Sequence, residues 1–364
     1  CQAETPLIAL CRFPGPALIE AVKRHVDSSN MIRSLIAQRQ IRCTNEASPC
    51  FDLEPFYKRT PDLTEWRIID HCSAVTRLYS IYERFVHELL GAFLAFLESS
   101  AAYPDLDASL RAEHRRSLGQ VLLSMDQERY RALQFESIIE DLAKAFSHSG
   151  SYRLLPEAML AHEQNLRLTE LSKLFNRCGI TGVTEWVLKH RVLKKFFSEQ
   201  ERQSDKADAE LKQIVNYRND AAHGDVDTVL GAEILMEYTE FLSAMLQALA
   251  ECVQWWVIEK SLEYKKTRLA GKINEIFSKN VVVAIVENST FAVDDFVYLR
   301  GEGYCYRVKI LSLQDNCEDI TTRTVLSPIE LGIGFNSEPK KRAEICYVQT
   351  SSASTVSNGC CGVD

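Results

Sequence analysis

The chain has 364 residues, 46% of them hydrophobic and 25% charged, which predicts two or three domains at about 150 residues each and enough apolar material for a real core. Its 42 Lys and Arg against 50 Asp and Glu leave a net charge of −8, so a polybasic coat for nucleic acid is excluded and any phosphate contact must come from a local patch. No run of 18 apolar residues appears, which argues against a membrane span.

The opening stretch, CQAETPLIALCRF, has neither the basic start nor the long apolar stretch and cleavage site of a secretion signal, so a cytoplasmic location is expected. It also lacks Met, which leaves the true N-terminus open. The twelve cysteines are scattered without a CxxC pair. That pattern fits structural thiols in a reducing compartment better than a disulfide framework.

An amphipathic stretch at 17–42 predicts a helical extension over residues 1–60, and Pro49, Pro55 and Pro61 form a connector after it. From 66 to 266 almost everything reads as helix. Cys72, Val75, Leu78, Tyr82, Phe85, Leu89, Phe93 and Phe96 recur at spacings of three and four, and Tyr79, Val86 and Leu90 widen the stripe. This is the pattern of a central bundle helix with two neighbours. Further helices are expected at 110–147, 156–177, 185–203, 207–223 and 228–266, making one helical domain over 61–270.

The period changes near Lys279. VVVAIV (281–286), FAVDDFVYLR and YCYRVKIL read as strands, with Gly301-Glu302-Gly303 as a hairpin turn. With shorter strands at 321–326 and 343–349, they predict a small β-barrel over 279–350. Its acidic residues outnumber its basic ones, so it suits a partner or bracing role better than broad RNA binding. Residues 351–364, including the adjacent Cys360 and Cys361, read as a flexible tail. The fold class expected is mainly α: an antiparallel helical bundle followed by a small C-terminal β-barrel.

The eight histidines form no HExxH or HxH pair, so no metal site is expected. Nucleophile-elbow, Walker and kinase signatures are missing as well. What remains is Arg218-Asn219-Asp220-Ala221-Ala222-His223, followed by Gly224. Leu211, Ile214, Val215, Arg218 and Ala222 mark one side of the incoming helix, whereas Asn219 and His223, four apart, share another. Gly224 can end the helix, and Asp225 or Asp227 can cap the next. By itself the segment also fits a capping arginine and a surface histidine at a bundle corner.

The motif resembles the R-x4-6-H signature of HEPN-fold ribonucleases, including the polar residue directly after the arginine. TEWRIIDHCSAVTRLYSIYERFVHELL (64–90), SYRLLPEAMLAHEQNLR (151–167) and YRNDAAHGD (217–225) extend the likeness to a bacterial HEPN-like subfamily often linked with toxin–antitoxin or phage-defence loci. The resemblance, over roughly 64–250, implies an antiparallel bundle that dimerises, with two motifs meeting across the two-fold axis. HEPN toxins silenced by nucleotidylation carry Tyr two residues after the histidine. Asp225 stands there, so that route is not expected here.

The chemistry matches the residue types. Metal-free RNA cleavage uses the ribose 2′-OH against the neighbouring phosphate, and needs a base, an acid and positive charge on the phosphorane. Histidine serves as either base or acid, an isologous dimer supplies two copies, and Arg218 offers a fixed fork of donors for phosphate. Arg218, Asn219 and His223 are therefore the expected catalytic residues of a metal-independent endoribonuclease without cofactor. Glu83 and His162 are candidate supporting residues. His162, Asn165 and Arg167 are candidates to line an RNA groove, against a plain solvated helix face. Lys189, Arg191, Lys194 and Lys195 form the densest basic patch and the candidate RNA-backbone contact. The expected partners are RNA, a second copy of the chain, and an antitoxin or defence-system protein, with no membrane. The alternatives are a non-catalytic HEPN scaffold binding RNA, nucleotide or protein, and an interaction protein acting through the barrel.

Overall fold

A computed structural model describes residues 14–38, 58–147, 152–199, 207–224 and 226–347. The adjacent cysteines of the tail and the predicted cap at Asp225 lie outside them. The chain divides into two compact units, a helical one that reaches Gln254 and also takes in Glu302–Tyr304, and a second that begins at Trp255.

In the helical unit, α1 (Gly15–Ala37) and α2 (Leu63–Ser100) pack together. The Asp62 carboxylate caps α2 by accepting from the Thr64 amide at 2.8 Å. The apolar stripe is buried as its period predicts, with Val75, Leu78, Tyr79, Tyr82, Leu90 and Leu94 each at most 1% exposed. Cys72 is an exception: it is only half-buried, and His71 and Ala74 take the inward places at that end.

The next helices are α3 (Ala108–Leu123), α4 (Phe135–Ser147), the single turn α5 (Pro156–Met159), α6 (Leu168–Arg177), α7 (Val183–Lys189), α8 (Arg191–Glu199), α9 (Ala207–His223) and α10 (Ala232–Glu263). Three expected helices are thus broken. The one over 110–147 is interrupted because Tyr130, in a short 3-10 turn, folds into the cluster of Leu118, Val121, Ile138 and Leu155. The one over 185–203 breaks at His190, whose extended backbone lets its carbonyl accept from the Lys194 amide at 3.0 Å at the start of α8.

The third break, inside 156–177, matters most. Tyr79 and Tyr82 of α2 seize the backbone of Leu166: its amide donates to Tyr79 Oη at 3.0 Å and its carbonyl accepts from Tyr82 Oη at 3.1 Å. Arg177 donates to the Ala161 and Met159 carbonyls at 2.6 and 3.2 Å. Side chains thereby satisfy backbone groups that a helix would have paired, and 160–167 stays an irregular loop.

Helix α9 packs on α2 and stops at Gly224, which takes φ +76° where a left-handed residue ends a helix. The following helix begins only at Ala232, so Asp227 is not its cap. Although α10 is long and apolar enough to cross a membrane, 67% of its most apolar window is buried within the fold.

The second unit holds β1 (Arg268–Ser278), β2 (Val281–Val286), β3 (Ser289–Ala292), β4 (Phe296–Gly301), β5 (Tyr304–Asp315), β6 (Glu318–Ile320), β7 (Thr322–Val325), β8 (Ile329–Phe335) and β9 (Glu344–Tyr347). Strand order β4-β9-β1-β2-β8-β5, closed by a β4–β5 pairing, makes an antiparallel six-stranded barrel. β6 extends β5, and β3 pairs with β7 apart from it. Val282, Ala284, Val286, Leu331 and Ile333 alternate inward. Strand β1 begins ahead of the expected start at 279, and β8 was not expected. Gly271 explains the close pairing of β1 with β2: a Cβ there would lie 2.5 Å from the Ile285 carbonyl oxygen.

Candidate functional site

The end of α9 carries the arginine–histidine segment. Arg218 and Asn219 are half-buried, whereas His223, one turn on, is exposed. The Arg218 guanidinium lies over the Tyr79 ring, 5.1 Å from its centroid, and donates to Asn219 Oδ1 at 3.2 Å. No carboxylate among the described residues lies within ion-pair distance of Arg218. Among the described residues its charge is therefore met by an aromatic face and an amide and by no carboxylate.

Asn219 Oδ1 also accepts from Asn165 Nδ2 at 3.1 Å, which links the α9 corner to the 160–167 loop. Neighbouring Arg167 donates to Asn216 Oδ1 at 3.0 Å, a second tie between the same two segments. On α2, Tyr79 Oη donates to Glu83 Oε1 at 3.1 Å, and Glu83 Oε1 is 3.9 Å from His162 Nε2. His162 Nε2 in turn meets His87 Nε2 at 2.9 Å, and its Nδ1 lies 2.9 Å from the Gln164 carbonyl oxygen. Burial, then the neighbouring His162, push the His87 imidazole below its ordinary pKa, with Glu83 pulling the other way.

Glu83 and His162 thus join one polar cluster with Arg218 and Asn219, built by α2, the loop and α9. Tyr79 and His87 belong to it as well. Sequence patterning placed Tyr79 in the core stripe, and its hydroxyl is what the period does not reveal. His223 makes no described hydrogen bond or ion pair to this cluster. Against the outer side of the loop lies a polar groove of about 320 Å³, lined by Arg116, Gln120, Arg129, His162, Gln164 and Arg177 among others.

The basic patch is less available than its sequence suggests. Lys189 Nζ is 2.6 Å from Glu302 Oε1, and Arg191 Nη2 is 2.6 Å from Glu251 Oε1. Glu251 is shared with buried His190 at 3.1 Å. Burial works against the Glu251 charge, but His190, Arg191 and Gln247 overcome it and hold the carboxyl below its ordinary range. Lys194 and Lys195 are exposed. Among the described residues no three His, Cys, Asp or Glu side chains are arranged to hold a metal ion.

The corner of a helical bundle thus carries an Arg-Asn pair beside an exposed histidine. The HEPN_MAE_28990-like HEPN family model matches residues 21–262, and the chain belongs to that family. The match takes in α2, the loop and α9 whole, and its family is one of RNA- or nucleotide-related proteins. Neither the curated proteins nor the solved structures give a match.

Proposed function

We propose that this protein is a metal-independent endoribonuclease whose site combines Arg218, Asn219 and His223 from two protomers of a homodimer. The observation that carries this reading is the Arg218 guanidinium, fixed over Tyr79 and against Asn219 with no carboxylate paired to it among the described residues. A cation held in place without a carboxylate suits a phosphorane.

In the reaction, one His223 takes the proton of the ribose 2′-OH as its oxygen attacks the adjacent phosphorus. The partner's copy of the same residue protonates the departing 5′-oxygen. The bond to the 5′-oxygen breaks, leaving a 2′,3′-cyclic phosphate on one fragment and a 5′-hydroxyl on the other. One protomer brings one His223, and its exposure supports a second copy meeting it across a two-fold axis. The growth-arresting role of toxin or defence effectors, with a protein that restrains it, is part of the same proposal.

A labelled oligoribonucleotide carrying a single 2′-deoxy substitution tests the chemistry. Cleavage should vanish at that linkage and persist at its neighbours. Cleavage at the deoxy linkage would exclude 2′-OH attack. Light scattering at micromolar protein with RNA present should give twice the chain mass, and a monomer would exclude the shared site.

A further inference from the structure

We infer that His87 and His162 form a single-proton clasp that positions Asn219 and Arg218, an inference that rests on the nuclease reading above. The facing atoms are the two Nε2 nitrogens, 2.9 Å apart. The carbonyl of Gln164 can only accept, so His162 Nδ1, 2.9 Å away, carries a hydrogen. Neutral His162 therefore presents a bare lone pair at Nε2, which the Nε2–H of His87 fills. One extra proton leaves the contact intact whichever ring carries it, because one of the two facing nitrogens can still keep its lone pair. A second would put a hydrogen on both facing nitrogens and a positive charge on both rings, and the contact could not survive.

The surrounding charges do not remove this limit. Glu83 of α2 favours one imidazolium, from 3.9 Å, and Tyr79 shares its carboxylate. Arg218 of α9 lies over the Tyr79 ring on the opposing side of the balance. Arg84 and Glu88, next to His87 on α2, are paired with each other at 2.6 Å. Around the groove, Arg177 adds positive charge, Arg116 is paired with Glu113 at 2.6 Å, Arg129 is loosely matched by Glu163 at 3.8 Å, and Glu170 is taken by Lys173. One carboxylate thus faces the imidazole pair, enough for one charge.

The clasp ties the loop to α2 at the point where Asn165, three residues on, holds Asn219. Doubly protonated, it would free the His162 end of the loop and loosen the hold of Asn165 on Asn219, and through Asn219 on Arg218. His87 and His162 are positioning residues in this scheme. Acidification would disable the site in addition to any effect on His223.

The test compares the full chain with His87→Gln and His87→Leu. Glutamine can donate to or accept from His162 Nε2 but takes no charge, and leucine does neither. Amide hydrogen exchange across 160–167, normalised for intrinsic rates, and cleavage of labelled RNA are followed from about pH 7.5 to about pH 5, spanning the ordinary histidine range. Wild-type loop protection should fall on acidification, stay constant in His87→Gln, and be low throughout in His87→Leu. At the acid end of that range the His87→Gln protein should out-cleave wild type by at least about twofold, because it cannot take up the second charge. Wild-type protection that does not change with pH, or cleavage by His87→Gln that tracks wild type throughout, would overturn the clasp and leave the nuclease reading standing. Absence of cleavage by wild type at every pH would overturn that reading and the positioning role together.

Discussion

Arg218 stands between two differently built neighbourhoods. On one side, the 160–167 loop is fixed by side chains from two helices: Tyr79 and Tyr82 of α2 hold Leu166, Arg177 of α6 holds two carbonyls, and His87 of α2 meets His162. On the other, α9 runs out at Gly224 and leaves His223 exposed. The first side is finished by the fold, whereas the second offers a reactive group to whatever meets it. A site shared between two copies would show this asymmetry, with the cation preorganised in each protomer and the proton-transfer group at the surface.

Substitutions at the boundary should have the largest effect. Arg218→Ala should slow RNA cleavage by roughly 10²–10³-fold, the scale for losing one preorganised donor to developing charge. Arg218→Lys should recover little, because an ammonium lacks the two-pronged fork. Initial rates with saturating labelled RNA check both, with thermal melts to show that the fold survives. Recovery by lysine to within a few-fold of wild type would mean that Arg218 acts only as a point charge.

A histidine away from both neighbourhoods supplies the next effect. His114, fully buried against Tyr103, has its pKa pushed down to about 4 by burial. The unfolded chain takes up this proton below about pH 6.5, but the folded one does so only near pH 4. Stability is therefore complete above pH 6.5 and should fall by about 3 kcal/mol as pH drops between those values. Urea midpoints across that range, with His114→Gln as the flattened control, measure it. The same acidification should cost His114→Gln its loop protection, because the clasp is separate from His114.

Tyr79→Phe sharpens the comparison within the fixed side. It strands the buried Leu166 amide and should cost about 1–3 kcal/mol, with cleavage falling because the loop supports Asn219. An equal loss of stability with undiminished cleavage would show that the loop does not serve the site. The smallest effect belongs to Lys189→Ala. Its charge is already matched by Glu302, so RNA affinity should change less than about twofold, with less than one phosphate's worth of salt dependence lost.

Much of this architecture is legible in the chain, unevenly. The stripe from Val75 to Phe96 needs only its period, and Gly224 marks the end of α9 by residue type alone. The break at 160–167 is different in kind. Nothing in MLAHEQNLR is a helix stop, and the loop exists because Tyr79 and Tyr82, more than eighty residues earlier, outbid the helix for the Leu166 backbone. For the same reason the link from His162 to His87 is invisible at a separation of 75 residues. Arg191 looked available because Glu251, its partner, lies sixty residues on. In the barrel, Gly332 and Gly334 imitate a turn while serving a close strand contact with β5.

The central claim is tested most directly by wild type and His223→Ala with end-labelled RNA in excess chelator, followed by analysis of the product ends. The account predicts wild-type cleavage to 2′,3′-cyclic phosphate and 5′-hydroxyl ends. In His223→Ala, which removes base and acid together, cleavage should fall at least about 10²-fold, with fold and dimer mass unchanged. Equal cleavage by the two proteins, or wild-type cleavage abolished by the chelator, would contradict it.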